Sequence, residues 1–100
     1  MFIYLFCAEI NNKIQYKIGV SNNPEKRFKT AQTSNPNLIN IVSTYRAVDR
    51  LMAFKVESVL HKKYYTHNIG GEWFEMDNIS ANHFLNECNT IENNIKITKL

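Results

Sequence analysis

One hundred residues with twelve Lys/Arg against nine Asp/Glu, a net charge of +3, make one small domain whose 44% hydrophobic content suffices for a core. No apolar run approaches the ~20 residues that a membrane-spanning helix needs, and two cysteines are too few for a disulfide framework. Cys7 and Cys88 both sit in apolar patterns, as buried thiols, which fits an intracellular, reducing compartment; the histidines and cysteines show no zinc-ligand spacing. The charge is uneven. Residues 1–50 hold seven Lys/Arg against three acids and residues 51–100 five against six, so non-specific attraction for nucleic acid would come from the first half. Fourteen asparagines are scattered through patterned segments and do not form a low-complexity tract.

Phe2 to Ala8 is apolar on both faces, the pattern of a central strand covered on both sides. It lacks the basic flank of a signal peptide. Tyr4 carries its one hydroxyl, either as a core tyrosine satisfied at an edge or as part of a site. Glu9 to Lys13 is a polar turn in which Asn11 and Asn12 can take positive φ, so the next strand returns antiparallel. In that strand Ile14, Tyr16, Ile18 and Val20 alternate with Lys13, Gln15, Lys17 and Gly19, which puts Tyr16 on the apolar face and Lys17 on the other. Gly19 permits a close approach by backbone or ligand. Asn23-Pro24-Glu25 then starts a helix, with an N-cap acceptor, Pro at N1 and an acid at the positive end of the dipole. The helix runs to about Gln32 with Phe28 and Ala31 inward and Arg27 at the edge of the buried face. Lys17 and Arg27 thus come from two rigid elements, an arrangement suited to an anion such as phosphate. Arg27 taken alone could equally be a solvated helix charge.

Thr33 to Asn37 turns the chain, and Leu38 to Tyr45 is a third strand rich in β-branched residues. Asp49 caps a longer helix reaching about Tyr64, with Met52, Val56, Val59 and Leu60 as its core stripe. Glu57 lies at the margin of that stripe and His61 follows at i+4. A carboxylate so placed suits a hard divalent cation; by spacing alone it reads as an exposed pair with His61, worth a few tenths of a kcal/mol. Gly70-Gly71 makes a turn into an extended segment, 72–76, that anchors Trp73 or Phe74. Ser80 caps a final helix to about Asn93 carrying Phe84, Cys88 and Ile91, and residues 95–98 form a short strand or a frayed tail.

In order along the chain, Phe2-Ile3-Tyr4, Lys17-Ile18-Gly19, Arg27 ahead of Thr33-Ser34-Asn35-Pro36, Glu57 to His61, and Gly71-Glu72-Trp73-Phe74 resemble the GIY-YIG endonuclease superfamily. The likeness is strongest to its phage- and virus-associated T5orf172/MUG113-type branch, and it covers residues 2–76. The resemblance implies an α+β fold, a small three-stranded antiparallel sheet flanked by helices, with residues 80–100 as a C-terminal helix and tail. It implies a DNA endonuclease using one Mg²⁺ (or Mn²⁺), in which Tyr4 orients or deprotonates the attacking water, Arg27 stabilises the phosphate and Glu57 holds the metal. Lys17 replaces the second signature tyrosine. Its reference pKa of ~10.4 makes it a poor base unless desolvated, so it would bind phosphate or the water instead. Phe2 replaces the first glycine, the late asparagine of many members has no match, and His61 would be a supplementary acid/base or phosphate ligand. Selectivity would come from a branched or single-stranded DNA, a homodimer or a partner protein. Two other readings stand beside this one: a catalytically inactive nucleic-acid-binding or regulatory module, and a protein-interaction module using Trp73-Phe74.

Overall fold

Asn11 and Asn12 both take positive φ, 53° and 66°, and fold β1 (Phe2–Ile10) onto β2 (Lys13–Ser21) in register from Ile10↔Lys13 to Phe2↔Ser21. Consecutive left-handed residues match the twist of the flanking strands, which is why short polar residues occupy the turn. The computed structural model, which describes residues 1–98, continues with α1 (Pro24–Thr33), β3 (Ile39–Arg46), α2 (Arg50–Lys63), a 3₁₀ turn (Tyr65–His67), β4 (Asn68–Gly70), β5 (Trp73–Glu75), α3 (Asn78–Asn82) and α4 (Phe84–Thr98). The sheet order is β3-β1-β2-β5-β4, with every neighbouring pair antiparallel.

β1 is central, and its all-apolar sequence follows from cover on both faces. Ile3 and Leu5 join Tyr16, Ile18 and Phe74 in a core completed by Val56 and Leu60 of α2 and Phe84 and Cys88 of α4. Tyr4, Phe6 and Ala8 face the other way, against Ala31 of α1 and Ile39 of β3, with Phe28 and Trp73 packed on the rim. The caps expected for α1 and α2 are formed: Asn23 Oδ1 accepts from Lys26 N at 3.1 Å and Asp49 Oδ1 from Met52 N at 2.8 Å.

Five expectations are corrected. The sheet has five strands, because β4 and β5, three residues each, pair beside β2 through Gln15↔Glu75, Tyr16↔Phe74 and Lys17↔Trp73. Strands so short show no periodicity of their own. Ser80 is not a cap; Asp77 is, its Oδ1 accepting from Ser80 N at 2.6 Å, and the helix breaks at His83 before restarting as α4. Residues 95–98 are the last turn of α4, neither strand nor frayed tail, while 99 and 100 of the expected tail lie outside the described residues. Val59 is 39% exposed and Cys7 only partly buried, whereas Cys88 is fully buried. Among the described residues no helix is long and apolar enough to cross a membrane.

One buried carboxylate ties the last helix to the sheet. Glu92 of α4 accepts hydrogen bonds from the Tyr45 hydroxyl at 2.9 Å and the Val48 N–H at 3.0 Å, with Lys96 Nζ at 3.6 Å. Burial, and then the Glu92 carboxylate, push the Tyr45 phenol up to about 12. Glu92→Ala leaves both donors without their acceptor and is expected to cost about 1–3 kcal/mol in denaturant unfolding. Tyr45→Phe should cost less in that background than in the wild type, since the two act through one bond.

Candidate active site

The residues singled out from the sequence come from four elements, and Gly19 is what lets the first of them take its place. Tyr4 and Gly19 are directly opposed across β1 and β2. A Cβ on Gly19 would fall 2.9 Å from Tyr4 Cε2 and closer still to Cζ and Oη, so the ring lies over the bare β2 backbone. The ring stacks on Phe6 at 4.1 Å, and Phe6 meets Phe28 of α1 edge-on at 5.7 Å. Lys17 faces the same side of β2, as the alternation predicted, with its Nζ 6.0 Å from the Trp73 ring centre and 3.9 Å from Glu72 Oε1. Tyr16 is on the opposite face, where its hydroxyl donates to Asn78 Oδ1 at 3.2 Å. Of the two, Lys17 is therefore the one beside Tyr4.

The Tyr4 hydroxyl reports what surrounds it. Its pKa is pushed up to about 12, by burial first, then by the negative charge of Glu72 and, more weakly, of Glu57, against the opposing pull of Arg27. At neutral pH the phenol keeps its proton. One hydroxyl thus feels α1, α2 and the turn before β5 together. Arg27 itself is exposed on α1.

The second half of the site is anionic. Glu57, His61 and Glu72 each direct a ligand atom into one place, all within 4.8 Å of one another. Glu57 and His61 are one helical turn apart on α2. Glu72 is delivered from the Gly70-Gly71 turn and is pinned to β2 by its carbonyl, which accepts from Ile18 N at 3.1 Å. His61 Nε2 lies 3.0 Å from the Ile18 carbonyl oxygen. A carbonyl only accepts, so Nε2 carries the proton and the neutral ring keeps its lone pair on Nδ1. Phe74 holds the imidazole edge-on at 4.9 Å. Burial and the neighbouring Glu72 raise the pKa of Glu57, and His61 partly offsets them. Two carboxylates and one imidazole converging on half-buried ground make a set that a divalent cation would relieve, and its donors suit Mg²⁺ or, with the imidazole, Mn²⁺.

Glu72 was missed as a site residue. It belongs to a segment that carries the family resemblance, but no periodicity or spacing gives it a role. Only the pairing of β5 with β2 brings it to Glu57. Trp73 and Phe74, considered above as an interaction surface, are instead engaged in the two cores, Phe74 with 1% exposure. The model of the T5orf172 domain family matches residues 1–92. No curated protein and no solved structure matches the chain.

Gly19→Ala is expected to destabilise by about 1–3 kcal/mol through overpacking, and by much less in a Tyr4→Ala background, a coupling that chemical denaturation of the four proteins measures. For Glu57 the raised pKa means that the fold binds its proton more tightly than the unfolded chain does. Stability is therefore lost as pH rises from the ordinary carboxyl pKa through the raised one. Glu57→Gln should accordingly melt higher than the wild type at pH 7 without metal. The gap should close as pH falls toward ~4.3, the unperturbed glutamate value.

Proposed function

The chain belongs to the T5orf172 domain family, a nuclease-like family, and from that premise we propose that it is a divalent-metal-dependent DNA endonuclease that hydrolyses phosphodiester bonds. The observation that carries this is the meeting of two opposite charge sets at one phenol. Arg27 pulls on the Tyr4 hydroxyl against Glu72 and Glu57, and Lys17 lies 3.9 Å from Glu72, a member of the Glu57, His61 and Glu72 donor set. A phosphodiester is itself an anion and would be repelled by two carboxylates unless a cation stood between them.

Glu57 and Glu72 would hold Mg²⁺ or Mn²⁺ through oxygen, and His61 through Nδ1. A cation held there would supply positive charge opposite the phosphate and make nearby water more acidic. Arg27 presents its guanidinium to the non-bridging oxygens, where negative charge grows as the phosphorus becomes five-coordinate. Tyr4 keeps its proton in the metal-free site and so is no standing base; it orients the attacking water, and gives up the proton only where added positive charge lowers its pKa. Lys17, 3.9 Å from Glu72, is in reach of the same phosphate and takes the place that a second tyrosine holds in the resemblance. Selectivity would come from the shape of the DNA or from a second copy or partner.

The test is nicking of supercoiled and branched DNA in Mg²⁺, Mn²⁺ or EDTA. The wild type should cleave only with metal, and Glu57→Gln, which keeps the shape but removes the charge, should not cleave at all. Binding without cleavage in every condition would replace the endonuclease with an inactive DNA-binding module of the same fold. Arg27→Ala should lower kcat by about 10²-fold or more with a smaller change in KM, because its contribution is greatest in the transition state. Equal loss in binding and turnover would reduce Arg27 to a phosphate anchor.

A further inference from the structure

The solvent side of α2 is unlike that of an ordinary amphipathic helix. Phe54, Ser58, His61 and Tyr65 recur at i, i+4, i+7 and i+11, so they form one stripe along the helix and into the 3₁₀ turn that follows. Two members of that stripe are large aromatics left in water: Tyr65 is 74% exposed and Phe54 44%. Cations border it. Arg50 lies over the Phe54 ring at 5.6 Å, and Lys62 lines a groove of about 430 Å³ with Ser58, His61 and Tyr65. Of the four Lys/Arg from Arg50 to Tyr65, Lys63 is paired with Glu87, while Arg50 and Lys62 lie beside the stripe; the one acid in that span, Glu57, points to the metal-ligand cluster. His61 belongs to both, as a wall of the groove and as a member of the cluster.

Exposed aromatic rings interleaved with cations are what unpaired nucleotides bind, through base stacking and phosphate pairing. Duplex DNA keeps its base faces covered, so it offers such rings nothing. We infer that this stripe of α2 is a track for unpaired DNA, leading single-stranded nucleotides across Phe54 and Tyr65 to the phosphate beside His61. The track presupposes the nuclease reading only for where it leads. It narrows the substrate class to single-stranded DNA or to junctions with an unpaired arm. Charge complementarity and continuity with the metal-ligand cluster favour this occupant over a protein partner, for which a bordering row of cations would cost desolvation.

The test is fluorescence anisotropy in EDTA, where no cleavage occurs, with labelled oligo-dT and a blunt duplex of equal length. Tyr65→Ala should weaken oligo-dT binding about tenfold or more, as loss of one stacked base implies. It should change duplex binding by less than about twofold, and Tyr65→Trp should restore the affinity. Lys62→Ala should lower the slope of log K against log salt by about one, the signature of one lost phosphate contact. Unchanged oligo-dT binding in Tyr65→Ala overturns the track, and so does equal weakening on both DNAs. The nuclease reading fails separately: Tyr65-dependent oligo-dT binding with no metal-dependent nicking would leave the track standing without the enzyme.

Discussion

Tyr4 can lie flat over the backbone of Gly19 because that residue has no side chain, and much of the molecule follows from this contact. It brings a phenol on the central strand level with the edge of β2, where Lys17 and Glu72 approach. It also bears on the stacking of Tyr4 on Phe6 and the edge-on contact of Phe6 with Phe28, through which α1 is seated and Arg27 placed. A methyl group at position 19 would have to move the ring, and with it the packing between sheet and helix. A residue from strand pairing and a residue from helix packing are thus set by one steric allowance.

The site works against the fold electrostatically. Glu72 sits close enough to Glu57 to disfavour its ionisation, and both carboxylates hold the proton on Tyr4. Such an arrangement is unfavourable in the absence of a cation, and positive charge placed there would relieve it. Glu92 is the contrast. It is more deeply buried than Glu57 or Glu72, but the Tyr45 hydroxyl and the Val48 N–H satisfy it, and it secures α4 to the sheet. Burial alone therefore does not distinguish a site carboxylate from a structural one; the neighbours do.

Helix α2 serves three directions at once. Met52, Val56 and Leu60 fill the core. Glu57 and His61, on the flank, belong to the candidate metal set, and the aromatic and basic stripe beyond them meets solvent. A 3.6-residue repeat allows this because successive residues step around the axis by about 100°, so core, site and surface can share fourteen residues without competing for positions.

The sequence by itself determined whatever depends on neighbours close along the chain. The Asn11-Asn12 hairpin, the alternation that sets Tyr16 against Lys17, the Asn23 and Asp49 caps and most of the α2 core stripe are local, and each is governed by turn chemistry, strand alternation or helical period. The order of motifs along the chain was likewise enough to recognise the T5orf172 family. Tertiary structure decided the rest. The sheet has five strands because two three-residue segments found partners on β2, and segments that short have no pattern of their own. Glu72 reached Glu57 and His61 only through that pairing, Glu92 found its donors 44 and 47 residues away, and Val59 lost its expected place in the core. Contacts between distant residues leave no periodic trace, because which surfaces meet is fixed by the packing of whole elements.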